Sequence, residues 1–350
     1  MKKLLKSLVT VGLALTLLAA CGSDETGQSN GGEGSGDNGD GTKTHAMIFK
    51  NTGNPYGEKM MEGFESALNI EGHEVILRSP DQPTAEGQIQ IIEQLITQQV
   101  DSITIAGNDE DALEPVLKKA MDAGIKVLSM DSAVNANSRM VHVNQANPES
   151  IGRTLVDAIA EMMDNEGEFA ILSATSQAAN QNIWIEYMQE TLEEEQYSNI
   201  DLVSVVYGDD LRDKSTSETE ALLLQFPNLK GIVSPTTVGI AAAGKVLSDR
   251  GLSGEIALTG LGLPSEMATY IQNGVSPAMF LWNPIDVGYA AGLTAKALVE
   301  GEITGEVGDS FDAGDLGNLE IVEDGEGTQI LLGDPYRFDA DNIDEWKEVY

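Results

Sequence analysis

The segment SITIAGNDEDALEPVLKKAMDAGIKVLSM, residues 102–130, contains one complete structural unit. Residues 102–106 form a short apolar run with the length of a buried strand, and residues 126–130 form another. Between them lies an amphipathic stretch that ends near Gly124, and glycine is typical of helix C-termini. Because a strand, a helix and a strand follow one another, the segment predicts two parallel strands joined by a crossover helix.

The same alternation continues on both sides of this unit. Upstream, apolar runs at 46–49 and 74–77 alternate with helical patterns at 57–68 and 85–98. Downstream, it repeats over a second stretch of similar length, with a long helix at 284–299 and strands at 168–172, 202–207, 231–233, 255–259 and 278–281. Short apolar strands that alternate with amphipathic helices indicate parallel sheets covered on both faces. We therefore predict an α/β fold with two doubly wound, Rossmann-like parallel-sheet lobes.

The composition excludes several classes of protein. The 350 residues include 57 acidic and 20 basic side chains, and the formal net charge of −37 would repel nucleic acid. A single cysteine rules out a disulfide scaffold and a zinc site made of cysteines. The sequence has no phosphate-binding loop and no nucleophile elbow. We therefore expect no nucleic-acid partner, no cofactor, no metal site and no enzymatic activity.

The N-terminus has the pattern of an export signal. Three lysines precede an apolar run over residues 8–20, which is too short for a membrane span. The Leu-Ala-Ala-Cys sequence at 18–21 resembles a bacterial lipobox. This resemblance implies that residues 1–20 are a signal peptide and that lipidated Cys21 anchors an extracytoplasmic protein to the cell membrane. An ordinary secretory signal with an incidental cysteine is the alternative.

Residues 21–45 link this signal to the folded part of the chain. They consist mostly of Gly, Ser, Asn, Asp and Thr. A segment with so few apolar side chains cannot offset the entropy lost on ordering. We therefore predict a flexible, acidic, Gly-rich tether.

The acidic excess extends beyond the tether into the folded part of the chain. Salt screens the repulsion between like charges, so one hypothesis is that the protein works in a salt-rich environment. An ordinary acidic secreted protein is the alternative. Full stability and ligand affinity in very dilute buffer would contradict the salt hypothesis.

Polar residues follow the predicted strands at their carboxyl ends, where ligands bind in open α/β sheets. This set is mostly uncharged, with one ammonium group at Lys50 and one carboxylate at Asp131. Amide and carboxylate groups supply the donors and acceptors that a hydroxyl-rich ligand needs. Tyr56, Trp184 and Trp282 offer flat faces to a sugar ring. Since glycosidases need two facing carboxylates, a single one favours binding over hydrolysis.

Five blocks of sequence carry a resemblance to a known family. They are Lys-Asn-Thr-Gly-Asn-Pro-Tyr at 50–56, Met-Asp-Ser at 130–132, Asn-Gln-Asn-Ile-Trp at 180–184, Ser-Pro-Thr-Thr-Val-Gly-Ile-Ala-Ala-Ala at 234–243 and Leu-Trp-Asn-Pro-Ile-Asp-Val-Gly-Tyr at 281–289. These blocks resemble the type I sugar-binding proteins of ABC transporters. Within that family they are most similar to the rhamnose-binding branch, which is related to the autoinducer-2-binding branch.

The resemblance implies two lobes joined by a three-stranded hinge, with the ligand in the cleft between the lobes. It also implies a sugar as ligand and an ABC permease as the partner that receives it. On this basis we assign residues 46–146 and 284–315 to the N-terminal lobe, and residues 147–283 and 316–350 to the C-terminal lobe and its tail. We further expect the protein to be a monomer.

Six residues match positions at which the autoinducer-2 branch contacts its ligand, namely Lys50, Asp131, Asn180, Gln181, Pro235 and Thr237. That branch has Asp where this chain has Asn180, and Ala where it has Thr237. Because Asn180 lacks the acceptor strength of a carboxylate, we favour L-rhamnose or a similar deoxyhexose as the ligand. A receptor of autoinducer-2 for uptake or quorum signalling is the alternative.

Four more residues complete the predicted ligand-binding set, namely Asn54, Tyr56, Trp282 and Asn283, of which Asn283 matches a polar contact on the hinge side of the broader family. Several members of the set also have a purely structural interpretation. Lys50 could hold its ammonium group in water at the surface, and Asn180 could cap a helix. Asn54, next to Pro55, is typical of a turn, and Trp282 could pack in the core.

Overall fold

The computed structural model describes residues 41–69 and 72–350. The predicted signal peptide, Cys21 and the predicted tether as far as residue 40 lie outside the described residues. Within the part that is described, no helix is long and apolar enough to cross a membrane.

The N-terminal part of the described chain alternates strands with helices. Its elements are β1 Thr44–Ile48, α1 Pro55–Asn69, β2 Glu74–Arg78, α2 Ala85–Gln98, β3 Ser102–Ile105, α3 Glu110–Asp122, β4 Lys126–Met130 and β5 His142–Asn144. Polar side chains start the helices: Thr84 accepts a hydrogen bond from the backbone N–H of Gly87 at α2, and Asp109 caps α3 in the same way. Every residue of β3 is buried, as expected of a central strand covered on both faces.

The alternation resumes after β5. The next elements are α4 Pro148–Met162, β6 Gly167–Ser173, α5 Ala179–Leu192, β7 Ile200–Tyr207, α6 Arg212–Gln225, β8 Leu229–Ser234, α7 Thr237–Asp249, β9 Ala257–Gly260, α8 Pro264–Gln272 and β10 Ala278–Leu281. Asn147 accepts a hydrogen bond from the Ser150 N–H and so caps α4. The following proline needs no partner for its nitrogen at the first helical position.

The last elements are a long helix and short strands. They are α9 Pro284–Glu300, β11 Ser310–Asp312, β12 Asn318–Glu320, β13 Val322–Asp324, β14 Gly327–Leu331, β15 Tyr336–Asp339 and α10 Ile343–Trp346. Asn283 caps α9 by accepting a hydrogen bond from the Ile285 N–H at 3.0 Å. The helix ends at Gly301, whose φ of 74° is a conformation that glycine adopts without strain.

Among the described residues, most strands form two sheets. The first sheet has the order β13-β14-β5-β4-β3-β1-β2, and only the β13–β14 pair in it is antiparallel. The second has the order β7-β6-β8-β9 with all pairs parallel. Strand β10 pairs with β15 and reaches the second sheet through a bridge from Phe280 to Leu261. The predicted α/β fold with two parallel-sheet lobes is therefore confirmed.

The chain passes between the two lobes three times. The crossovers lie between β5 and α4, between β10 and α9, and between β14 and β15. In one respect the structure differs from the predicted lobe boundaries. The sequence assigned residues 322–331 to the C-terminal lobe, but β14 pairs in parallel with the free edge of β5 in the first sheet. Backbone pairing with that edge accounts for the difference.

Helices α1 and α9 pack closely because each presents glycine at the contact. A Cβ atom at Gly288 would lie 1.8 Å from the carbonyl oxygen of Met60, and one at Gly63 would lie 2.0 Å from that of Ile285. No other residue type fits where two backbones approach this closely. The contact attaches the segment that follows the second crossover to the first lobe.

Candidate functional site

One cavity between the lobes, here called the central cavity, is lined by nine of the ten predicted ligand-binding residues. It lies at the carboxyl ends of strands from both sheets, where an open α/β fold binds its ligand. Lys50, Asn54, Tyr56 and Asp131 come from the first lobe, Asn180, Gln181, Pro235 and Thr237 come from the second lobe, and Trp282 comes from the second crossover. The structure brings these residues together, and their role as ligand contacts remains a prediction.

An ion pair within the first lobe and two hydrogen bonds between the lobes lie at the centre of this cavity. The ammonium group of Lys50 lies 3.4 Å from the Oδ2 atom of Asp131, and the two side chains are only 6% and 5% exposed. Lys50 also donates to the Oδ1 atom of Asn180 at 3.2 Å. The amide group of Asn180 donates to Asp131 at 3.3 Å. Since Asn180 belongs to the second lobe, the two hydrogen bonds that it makes cross the cleft.

The backbone at Asp131 directs its carboxylate towards this cluster. Asp131 has a φ of 59°, in the left-handed region that residues other than glycine seldom occupy. Aspartate and asparagine tolerate this region better than most residues. Such conformations persist where the surrounding structure enforces them, and they concentrate at functional sites.

An aromatic chain of hydrogen bonds supports the same carboxylate. The hydroxyl group of Tyr56 donates to Asp131 Oδ1 at 3.1 Å, and the indole N–H of Trp282 donates to the Tyr56 hydroxyl at 2.7 Å. Burial, followed by the negative charge of Asp131, raises the pKa of Tyr56 well above its usual range. The hydroxyl group therefore stays protonated and remains a donor. Trp184 packs edge-on against Trp282 with 5.7 Å between ring centroids.

Two amide side chains at the cavity shape its walls. Gln181 accepts hydrogen bonds from Ser173 Oγ at 2.7 Å and from the backbone N–H of Ala174 at 2.8 Å, and so holds the turn that follows β6. Asn54 accepts from the backbone N–H of Tyr56 at 3.1 Å and begins α1. Asn54 therefore has the turn role that its position next to proline suggested, and it also lines the cavity.

The tenth predicted residue, Asn283, lies elsewhere. It lines a separate cavity beside Asp286 and the C-terminal tail, and does not line the central cavity. Its side-chain oxygen is used to cap α9. The structure therefore does not group Asn283 with the other nine residues, and its side-chain oxygen is already engaged at the start of α9.

A second carboxylate, that of Asp210, lines the central cavity and was not predicted from the sequence. Asp210 is buried and accepts a hydrogen bond from Thr236 Oγ1. Burial raises the pKa of Asp210, although the positive charge of Lys50 opposes this effect. The expectation of a single carboxylate at the strand ends was therefore wrong. The missed signal was its position, since Asp210 follows β7 within three residues and so lies at the same edge of the second sheet.

One wall of the central cavity is apolar. It is formed by Phe49, Leu261 and Leu281, all of which are buried. The space left between this wall and the polar cluster is about 30 Å³. A space of this size holds about one water molecule. In this structure the lobes are therefore closed on each other's polar groups.

The described residues contain no group of three or more His, Cys, Asp or Glu side chains arranged to hold a metal ion. What the central cavity does offer is hydrogen bonding. The carboxylates can accept hydrogen bonds from the hydroxyl groups of a ligand, and the ammonium group of Lys50 can donate hydrogen bonds to those hydroxyl groups. Amide groups can do both.

Residues 45–303 match the family model described as a periplasmic binding protein domain. The chain belongs to this family. An ABC transporter solute-binding protein from Clostridium phytofermentas, solved with bound L-rhamnose, is 48% identical to it, with a TM-score of 0.87 over 88% of this chain and 99% of that one. The chain is therefore a sugar-binding solute-binding protein of an ABC transporter, and its homologues are sugar-binding transport proteins rather than enzymes.

More distant periplasmic binding proteins share the fold with other ligands. The D-ribose/D-allose-binding protein of Pseudomonas aeruginosa is 24% identical over 223 residues, which are 61% of this chain and 69% of that protein. LsrB from Clostridium saccharobutylicum, solved in complex with AI-2, is 21% identical with a TM-score of 0.82, over 87% of this chain and 99% of that one. The similarity to the second protein concerns the fold alone.

Proposed function

We propose that this protein captures L-rhamnose or a closely related deoxyhexose in the central cavity and delivers it to an ABC permease. The observation that carries the proposal is the polar cluster of Lys50, Asp131 and Asn180, which spans both lobes next to an apolar wall. A deoxyhexose has the matching chemistry, with several hydroxyl groups on one part of the ring and a methyl group on another.

The polar cluster suits vicinal hydroxyl groups. Each hydroxyl can donate to Asp131 or Asp210 and can accept from Lys50. Hydrogen bonds to charged groups contribute about 1.5–3 kcal/mol each. A ligand that bridges the lobes would replace the direct bonds that Asn180 now makes to Lys50 and Asp131.

The apolar wall suits the methyl group of a deoxy sugar. Phe49, Leu261 and Leu281 present no side-chain hydrogen-bonding groups to the central cavity. A hydroxyl group placed against them would lose its hydrogen bonds to water without gaining new ones. L-mannose differs from L-rhamnose by such a hydroxyl group, so we expect it to bind about 10- to 100-fold more weakly.

Binding requires the lobes to move apart. A space of about 30 Å³ cannot admit a sugar ring, so the ligand enters after the polar bonds across the cleft have opened. The three crossovers are the segments about which such a movement takes place. Closure on the sugar then provides the change in shape that a permease can recognise.

The similarity to the L-rhamnose complex from Clostridium phytofermentas supports this choice of sugar, because its 48% identity extends over 88% of this chain. Autoinducer-2 remains the alternative ligand. The absence of a carboxylate at Asn180 argued against it, but Asp210 places a second carboxylate in the central cavity.

Calorimetric titration of the purified full-length chain with L-rhamnose, L-mannose and autoinducer-2 tests the proposal. Asp131→Asn keeps the shape and tolerates the backbone conformation, and we expect it to abolish L-rhamnose binding. Asp249→Asn, at an exposed surface pair with Lys245, is the matched control and should bind normally. Saturable binding of autoinducer-2 without sugar binding would replace the proposal with the alternative.

A further inference from the structure

The cleft between the lobes does not end at the central cavity. A larger cavity of about 650 Å³, here called the side cavity, adjoins it and shares Asp131, Asn180 and Trp184 as lining residues. Its other walls come from the start of α3, the segment that joins β4 to β5, the first crossover, the start of α5 and the turn between β13 and β14. Once the hydrogen bond between Asn180 and Asp131 has opened, a molecule bound in the central cavity can therefore extend into the side cavity.

A glutamine in the side cavity has no hydrogen-bond partner among the described residues. Gln145 lies in the first crossover, lines the side cavity and is only 1% exposed. Both its Oε1 and its Nε2 atoms are buried without a partner. Burying an amide group without a hydrogen-bond partner is unfavourable. A ligand hydroxyl group that donates to Oε1 or accepts from Nε2 would offset this cost.

The rest of the lining has the mixed character that suits a sugar ring. Asn144 and Asn182 contribute amide groups, and Asn182 uses its Nδ2 atom for a hydrogen bond to Ser176 O at 3.0 Å. Beside them, the apolar side chain of Ile183 is 39% exposed. Polar groups next to an apolar surface match the hydroxyl groups and the C–H face of a pyranose.

The charges around the side cavity select among possible ligands. Its lining includes six carboxylates besides Asp131, at Asp109, Glu110, Asp111, Glu186, Asp324 and Glu326. The one arginine of the lining, Arg139, pairs with Asp324 at 2.8 Å. An anionic group placed here would face uncompensated negative charge, which disfavours binding.

We infer that the side cavity is a second sugar subsite, so that the protein binds a rhamnosyl glycoside with its rhamnose ring in the central cavity and a neutral sugar ring hydrogen-bonded to Gln145 in the side cavity. The inference rests on the proposed function and names a larger ligand for the same cleft. It assigns Gln145 and Asn182 to the second ring only, since neither lines the central cavity.

The test is calorimetric titration of the full-length chain with four probes. They are L-rhamnose, methyl α-L-rhamnopyranoside, the neutral disaccharide α-L-rhamnopyranosyl-(1→6)-D-glucose and the anionic disaccharide α-L-rhamnopyranosyl-(1→4)-D-glucuronic acid. We expect the neutral disaccharide to bind about tenfold more tightly than the methyl glycoside, because one or two hydrogen bonds to the second ring would increase the affinity by about this factor. The anionic disaccharide should bind less tightly than the neutral one.

Two variants distinguish a second subsite that contacts the second ring from a cleft that merely leaves room for that ring. Gln145→Leu should weaken binding of the neutral disaccharide about 3- to 10-fold, because the second ring loses one hydrogen bond. The affinity for L-rhamnose should not change, since L-rhamnose has no second ring. Asn182→Ala, on the surface of α5, should act in the same direction and provides a second test if Gln145→Leu does not fold.

The outcomes of these titrations separate the inference from the proposed function. The inference is overturned if the neutral disaccharide binds no more tightly than the methyl glycoside. It is also overturned if both variants weaken the binding of the neutral disaccharide and of L-rhamnose equally. L-rhamnose binding without a preference for the disaccharide would contradict the side cavity as a subsite and leave the proposed function intact. Disaccharide binding without measurable L-rhamnose binding would support the subsite and contradict the monosaccharide as transported ligand.

Discussion

The ammonium group of Lys50 and the carboxylate of Asp131 form a buried ion pair at 3.4 Å, at the point where the two lobes meet. Asp210 lies close enough for the positive charge of Lys50 to act on its carboxyl group. One cation thus serves two buried carboxylates. Such an arrangement stabilises the closed cleft only while Lys50 is present, and it keeps strong hydrogen-bonding groups ready for a ligand.

Replacement of Lys50 should therefore affect both stability and binding. Lys50→Met leaves Asp131 and Asp210 without their cation, and we expect the free energy of unfolding to fall by about 3 kcal/mol. L-rhamnose binding should be lost in the same variant. Urea denaturation and calorimetric titration measure the two effects. Lys245→Met is the control, since it removes an exposed lysine paired with Asp249, and it should change neither stability nor L-rhamnose binding. A Lys50→Met protein as stable as the wild type would contradict the expectation.

Tyr56→Phe tests the hydrogen-bond chain behind Asp131. The change removes the donor to Asp131 and leaves the indole N–H of Trp282 buried without an acceptor. We expect a loss of about 1–3 kcal/mol in stability, together with weaker L-rhamnose binding. Thermal unfolding and titration provide the measurements, with the half-buried Tyr187→Phe as control. Equal stability and equal L-rhamnose affinity of the two variants would show that the hydrogen bonds linking Trp282, Tyr56 and Asp131 contribute no energy.

Asp210→Asn tests the pH dependence of stability. Because burial raises the pKa of Asp210, the folded protein binds this proton more tightly than the unfolded chain. Stability is therefore lost as the pH rises above roughly 4, the usual pKa of aspartate. We expect Asp210→Asn to have a higher melting temperature than the wild type at pH 7, and the difference to shrink as the pH is lowered towards 4.

Asp309 provides a control of opposite sign. Hydrogen bonds from the backbone and side chain of Thr304 lower the pKa of Asp309. Its contribution to stability is present above its ordinary pKa and is lost as the pH falls. Asp309→Asn should therefore be less stable than the wild type at pH 7. If Asp210→Asn, like Asp309→Asn, is less stable than the wild type at pH 7, the assignment for Asp210 is contradicted.

Gly288→Ala tests the contact between α1 and α9. The added methyl group would lie 1.8 Å from the carbonyl oxygen of Met60, so the helices must separate. We expect a loss of about 3 kcal/mol or more, or failure to accumulate in soluble form. In the control, Gly244→Ala on α7, the methyl group meets the side chain of Tyr270 at 3.1 Å, and alanine is the better helix former. Similar urea midpoints for both variants would refute the close contact.

Cys21→Ser tests the predicted lipid anchor. Serine cannot receive the thioether-linked lipid, so we expect the variant to leave the membrane fraction of a bacterial host that exports the chain. Fractionation and mass spectrometry of the N-terminal peptide measure this change. If the wild type and Cys21→Ser are both released into the soluble fraction, and the N-terminal peptide of the wild type carries no lipid, the ordinary secretory signal becomes the better interpretation.

Local patterns in the sequence determined the fold class and most of the candidate site. Strand and helix periodicity depend on neighbouring residues, and the carboxyl ends of parallel strands meet at one edge whatever the loops do. This is why Lys50 and Asp131 could be placed together before any contact was known. The match of residues 45–303 to the family model agrees with the same patterns.

Tertiary packing decided the remaining features. Residues 322–331 joined the first sheet because β5 had a free edge there. Asn283 left the predicted group because its amide group caps α9. Asp210 entered the central cavity because β7 ends at the same edge as β6 and β8.

Periodicity along the chain specifies which face of an element is buried, and so the sequence by itself determined the two parallel-sheet lobes, while the cleft between them was implied by the family resemblance. It does not specify which distant side chain a buried polar group meets across that cleft. Those partners depend on distances between elements far apart in the chain, such as Lys50 and Asn180. The closed polar cluster, its second carboxylate and the unpaired amide of Gln145 were therefore decided only by the tertiary structure.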